Sequence, residues 1–182
     1  MDEAEAKIDL ASRCEPIALL VLDVDGVLTD GVIAIDDQGV ETKHFHVRDG
    51  SAVSIWRKAG KRAAILSGRW APLVDLRAAE LGIAPVVQRS ERKGEALRRM
   101  LADLNLEARQ VCFVGDDLAD LPALGLAGLA ACPADAAAEV LDVAQLVTRA
   151  NGGRGAVREV VETILKYQGS WESLADSYRE TA

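Results

Sequence analysis

Short apolar runs alternate with helical patterns along most of this chain, and that alternation restricts its fold more than any other feature. The runs are ALLVLDV (18–24), RAAILS (62–67), APVVQ (84–88), QVCFVG (110–115), GLAAC (128–132) and AQLVT (144–148). Continuous apolar runs of this length suit strands buried on both faces. Between them lie helical stretches at 51–60, 71–82, 91–106, 134–144 and 155–168. Within 91–106, Leu97, Met100, Leu101 and Leu104 fall at i, i+3, i+4 and i+7, so one face of that helix is apolar. Strands alternating with helices imply a parallel sheet covered on both sides, a doubly wound, Rossmann-like α/β fold. In such sheets ligands sit at the carboxyl ends of the strands, where strand order reverses.

One segment breaks the alternation. GVIAIDDQGVETKHFHVRDG (31–50) reads as two strands around a turn at Asp36-Asp37-Gln38-Gly39, a short β-hairpin insert with no large cap domain. Its apolar residues Val32, Ile33, Ala34 and Ile35 need burial, which points to self-association. Residues 1–16 read as a polar lead-in with room for one short helix, 17–168 as the main domain, and 169–182 as a polar tail that is either loose or docked. The chain has 182 residues, a size that fits one domain. Its net charge of −8 and lack of a basic stripe argue against nucleic-acid binding as its task. No run approaches membrane-spanning length and the acidic N-terminus has no signal core, so neither membrane insertion nor export is expected. Cys14, Cys112 and Cys132 are dispersed and odd in number, which fits core residues in a reducing cytoplasm.

The run LLVLDVDGVLTDG (19–31) ends in Asp23, Asp25 and Asp30. Clustered carboxylates beside a buried strand repel one another and cost desolvation, so a positive charge must compensate them. A second acidic group, Asp116, Asp117 and Asp120, follows the run 110–115. Two acidic strand ends side by side make an oxygen-rich site for a hard divalent cation, with Mg²⁺ favoured. Asp117 has an alternative role as the cap of the following helix. Ser67 ends a third run and can hold an anion with nearby amides, while Lys93 opens the next helix, placed to neutralise phosphate and bridge to Asp120. His44 and His46 share a strand face, but without a third ligand they read as ordinary hairpin residues.

Asp23, Ser67, Lys93 and Asp116-Asp117, each at or just beyond a strand end and in this order, resemble the haloacid dehalogenase-like superfamily of phosphotransferases. DVDGVLTDG, the hairpin in place of a cap, VRDG (47–50), SGR (67–69) and GGRGAVRE (152–159) look like the 3-deoxy-D-manno-octulosonate 8-phosphate phosphatase family. The resemblance implies that Asp23 attacks phosphorus, that Asp25 is the acid and base, and that Mg²⁺ is held by Asp23, the Asp25 carbonyl and Asp116. Ser67 and Lys93 would hold the phosphoryl oxygens. Arg48, Arg69 and Arg77, with the backbone of His46, Val47, Arg48, Asp49 and Gly50, would bind the sugar acid. It also implies a homotetramer with shared active sites, and a place in lipopolysaccharide biosynthesis. Family members often carry an arginine where this chain has Ser54, with Arg57 as a possible substitute. That departure leaves open a sialic-acid-type 9-phosphate or another sugar phosphate as substrate. A non-catalytic phospho-acceptor domain of the same architecture is the alternative from a different class.

Overall fold

A computed structural model describes residues 3–180. Its six main strands are β1 (Leu19–Leu22), β4 (Arg62–Leu66), β5 (Val86–Val87), β6 (Val111–Val114), β7 (Leu129–Cys132) and β8 (Leu146–Val147). They form one parallel sheet in the order β5-β4-β1-β6-β7-β8. The sheet starts at β1, builds outward through β4 and β5, then resumes at β6 on the other side of β1. Strand order therefore reverses beside β1, which places Asp23 at the switch point.

β1 is buried throughout, with its side chains divided between two cores. Leu20 and Leu22 face one layer, where they meet residues of α1 (Glu3–Cys14), α2 (Val47–Lys58), α3 (Pro72–Leu81) and α7 (Ala156–Tyr167). Leu19 and Val21 face the other, against α4 (Lys93–Leu104), α5 (Leu121–Leu124) and α6 (Ala138–Val143). This period-2 division explains why the strands are continuously apolar: neither face sees water. Aliphatics and alanine fill both layers, with Trp56 and Phe113 the largest of the fully buried side chains. None of the described helices is long and apolar enough to cross a membrane.

The insert is smaller than the 31–50 span read from sequence. Only β2 (Ala34–Ile35) and β3 (Glu41–Thr42) pair, antiparallel, and Val47–Gly50 form the first turn of α2. Alternation ends at His46 because Asp49 turns inward, where its oxygens accept from the amides of Gly155 (3.1 Å) and Arg158 (2.9 Å). The VRDG segment thus ties α2 to the start of α7. The lead-in is helical as α1, and the tail forms α8 (Trp171–Glu180), with Trp171 and Leu174 packed on the core.

Candidate active site

Parallel pairing carries β1 and β6 to the same edge, and the chain leaves both strands through acidic turns. Asp23 continues the β1 ladder, its amide donating to Val114 O at 3.0 Å. A tight turn follows, in which the amides of Leu28 (2.9 Å) and Thr29 (3.0 Å) donate to Val24 O. Gly26 sits in it at φ +83°, and a Cβ there would lie 2.0 Å from Asp116 Oδ2. Only glycine lets the β1 turn approach the β6 carboxylate this closely. Gly152, from the GGRGAVRE loop, presses on the same turn, where a Cβ would lie 1.8 Å from Gly26 O.

A cavity of about 290 Å³ opens over these turns, lined by Asp23, Asp25, Ser67, Arg69, Lys93, Asp116, Asp117 and Asp120 among others. At its floor Lys93 Nζ donates to Asp23 Oδ2 and Asp120 Oδ1, each at 2.6 Å. Asp23 Oδ1 accepts from the Val24 amide at 2.7 Å. Asp120 Oδ2 accepts from the amides of Asp116 (3.0 Å) and Asp117 (3.3 Å), so this buried residue shapes the acidic turn as well as pairing Lys93. Asp117 is exposed and accepts from the Leu118 amide at 2.8 Å, a cap on the short 3₁₀ turn 118–120. Ser67 is buried at the end of β4, facing this cavity.

The electrostatics are those of an unsatisfied anion cluster. One carboxylate oxygen from each of Asp23, Asp116 and Asp120 lies within 4.8 Å of the others. Burial, then the neighbouring charge of Asp23 and Asp120, pushes the Asp116 carboxyl up to about 8. Burial and Asp120 raise Asp23 to about 6 despite the opposing pull of Lys93. Burial alone would lower the Lys93 ammonium, but Asp23 and Asp120 outweigh it and hold it above the ordinary lysine value. Asp116 Oδ1 is buried without a hydrogen-bond partner among the described residues. An orphaned, electrostatically strained carboxylate oxygen in a cluster of hard donors fits a divalent cation.

Asp25 stands on the opposite wall. Its Oδ1 accepts from Lys43 Nζ, and its Oδ2 is buried, without a hydrogen bond among the described residues, 3.7 Å from Arg69 Nε. Lys43 also pairs with Glu41 at 2.8 Å, and Glu41 with Arg69 at 2.9 Å. Sequence reasoning did not single out Lys43 or Glu41. The signal available was their i, i+2 spacing, which puts both on the strand face opposite exposed Thr42.

The other expected residues lie elsewhere in this single chain. His46 precedes α2, with Nδ1 3.9 Å from Asp49 Oδ2, and Val47 is 79% exposed. Arg48 is exposed at a separate basic cavity that also includes Arg154 and Arg158. Asp49 is the buried cap on α7. Arg77 pairs with Glu80 at 2.7 Å and covers Gly50, where a Cβ would lie 2.3 Å from its Nη2. Ser54 Oγ donates to Gly50 O at 3.2 Å, and Arg57 donates to Leu81 O at 3.1 Å, at the end of α3. Arg57 is thereby committed to structure and does not replace the cation missing at position 54.

Strained carboxylates facing a lysine and a strand-end serine suit the transfer of a phosphoryl group beside a divalent cation, and the comparisons point to that same class. Residues 38–128 match the family model of the haloacid dehalogenase-like hydrolases. The 3-deoxy-D-manno-octulosonate 8-phosphate phosphatase of Yersinia pestis is 43% identical over 164 residues, covering 90% of this chain and 88% of its own. That of Escherichia coli (strain K12) is 43% identical over 161 residues, 88% and 86% of the two chains. A crystal structure of the phosphatase of that name from Moraxella catarrhalis, in complex with magnesium, phosphate and KDO, superposes with a TM-score of 0.91 at 36% identity, covering 93% of this chain and 98% of that one. The chain belongs to the haloacid dehalogenase-like hydrolases and, within them, to the 3-deoxy-D-manno-octulosonate 8-phosphate phosphatase family.

Proposed function

We infer that this protein is a Mg²⁺-dependent phosphatase that hydrolyses 3-deoxy-D-manno-octulosonate 8-phosphate to the free sugar acid and inorganic phosphate. The observation that carries the reading is the junction of Asp23, Lys93, Asp116 and Asp120 at the switch point, in a chain 43% identical to phosphatases of that name. Asp23, Asp116 and the Asp25 carbonyl would hold the cation, which when bound shields the phosphate charge and offsets the acidic cluster.

The chain's own groups then have defined tasks. An Asp23 oxygen attacks phosphorus, the bond to the sugar oxygen breaks, and Asp25 gives that oxygen its proton. Water next attacks the aspartyl-phosphate and passes a proton to Asp25, and the Asp23–phosphorus bond breaks to release phosphate. Lys93 and Ser67 neutralise and orient the phosphoryl oxygens. Asp25 favours turnover over a stable phospho-acceptor, because a long-lived acyl phosphate gains nothing from an acid/base beside it. Arg69, which lines the cavity, would bind the substrate carboxylate.

The hairpin leaves Val32, Ile33, Ile35 and Val40 between 47% and 62% exposed, too apolar a strip to stay in water. It supports a homotetramer in which hairpins pack together and a neighbour completes each site. Arg48, Arg77 and the 46–50 backbone, which do not line their own cavity, would then serve an adjacent one. The buried free thiols of Cys14, Cys112 and Cys132, with Cys14 and Cys132 pushed up to about 11 by burial, fit a reducing cytoplasm. The product would supply lipopolysaccharide biosynthesis.

Ser54 and the committed Arg57 favour one second reading, a sialic-acid-type 9-phosphate as the substrate. Comparing kcat/KM across the octulosonate 8-phosphate, a sialic acid 9-phosphate and simple sugar phosphates separates the two. The first reading expects the octulosonate ester to lead by at least about tenfold. Faster turnover of the nine-carbon ester would replace it.

A further inference from the structure

We propose that Lys43 is the positioning residue for Asp25: reaching in from the hairpin, it fixes Oδ1 and leaves Oδ2 as the atom that gives and takes the proton. This rests on the phosphatase reading of Asp25. Lys43 follows β3, between exposed Thr42 and His44, yet its own side chain is only 1% exposed. Burying an ammonium is costly unless it is fully paired. Its partners are Asp25 Oδ1 and Glu41, and Glu41 is itself held by Arg69. The network holds two cations and two carboxylates, and it gives Asp25 Oδ1 a fixed partner while Oδ2 has no hydrogen bond among the described residues.

The geometry defines the proton's route. As an Asp23 oxygen bonds to phosphorus, the phosphorus–ester bond breaks, its electron pair stays on the departing oxygen, and the proton of Asp25 Oδ2 moves there. In the second half, water bonds to phosphorus, its proton returns to Oδ2, and the electron pair of the Asp23–phosphorus bond returns to Asp23. A rotated Asp25 carboxyl serves neither half.

The competing role for Lys43 is a plain anchor for the hairpin, and the leaving group separates the two. A sugar alkoxide needs its proton, whereas 4-nitrophenolate leaves without one. kcat/KM, which reports formation of the aspartyl-phosphate, is measured for Lys43→Met with both the octulosonate 8-phosphate and 4-nitrophenyl phosphate. The expected result is a roughly 10- to 100-fold loss on the sugar ester and under about threefold on the aryl ester, a share of the general acid/base contribution. Combined with Asp25→Asn, Lys43→Met should add less than about twofold on the sugar ester. Equal losses on both esters, or full additivity with Asp25→Asn, would overturn the proposal. Asp25→Asn alone guards the underlying reading: if it spares the sugar ester, the assignment of Asp25 fails and that of Lys43 falls with it, whereas if it slows the sugar ester, a failed Lys43→Met test counts against Lys43 alone. Should Lys43→Met not fold, Lys43→Arg is read by the same ratio, because a displaced cation that still anchors the hairpin should selectively slow the sugar ester.

Discussion

Replacing Asp116 by Asn should make the metal-free protein more stable, which is unusual for a polar residue at a strand end. Burial and the charges of Asp23 and Asp120 push its carboxyl from an ordinary 3.8 to about 8. A carboxyl raised in the folded state binds more protons folded than unfolded between those two values, so stability falls as pH rises from about 4 to about 8. At about 1.4 kcal/mol per pKa unit, the full shift corresponds to roughly 5 kcal/mol at pH 8. Asp116 is only partly buried, and solvent screening roughly halves this, to about 2–3 kcal/mol. Asn keeps the shape without the charge. For a chain of this size the gain is a Tm increase of about 5–10 °C at pH 8, shrinking to near zero at pH 4. The assay is thermal unfolding in EDTA across that range, repeated with excess Mg²⁺. Wild type should gain stability from Mg²⁺, most at the alkaline end, and the variant should gain little. An Asp116→Asn protein that is less stable than wild type in EDTA at pH 8 would refute the idea that the site holds uncompensated charge.

Lys93→Met should act in the opposite sense, because it leaves Asp23 and Asp120 buried without their shared cation. A loss of about 3–5 kcal/mol is expected, seen as a Tm fall on the order of 10 °C, together with loss of turnover. Ile35→Glu places a charge on the exposed apolar strip of the hairpin while leaving the cavity untouched. Sedimentation should show wild type as a tetramer and the variant as smaller species, whereas an unchanged distribution would remove the hairpin from the interface.

Much of the fold was legible in the sequence because its signals are local. Leu19–Leu22 and Val111–Val114 read as doubly buried strands, and the structure pairs both into the parallel sheet, covered on each side. The hairpin was legible as a hairpin, but its end was not. Whether VRDG continues a strand or starts a helix depends on Asp49 reaching Gly155 and Arg158, more than a hundred positions away. The acidic junction was visible as motifs, since Asp23, Ser67, Lys93 and Asp116 each follow or open an element with a clear pattern. Lys43 was not, because a lysine just after a short polar strand carries no sign that it is buried. Its partner Asp25 lies across the chain reversal that the hairpin creates. The separation of Arg48 and Arg77 from the cavity was likewise hidden, as it depends on how α2 and α3 pack.

The central claim is that a phosphoryl group passes through Asp23. It is tested most directly by mixing enzyme, Mg²⁺ and octulosonate 8-phosphate for a single turnover, quenching in acid, and mapping the modified peptide by mass spectrometry. The account predicts a transient phosphate on Asp23, formed and lost at rates compatible with phosphate release and absent in Asp23→Asn. Phosphate released at the wild-type rate by Asp23→Asn, or an acyl phosphate mapped to another residue, would contradict it.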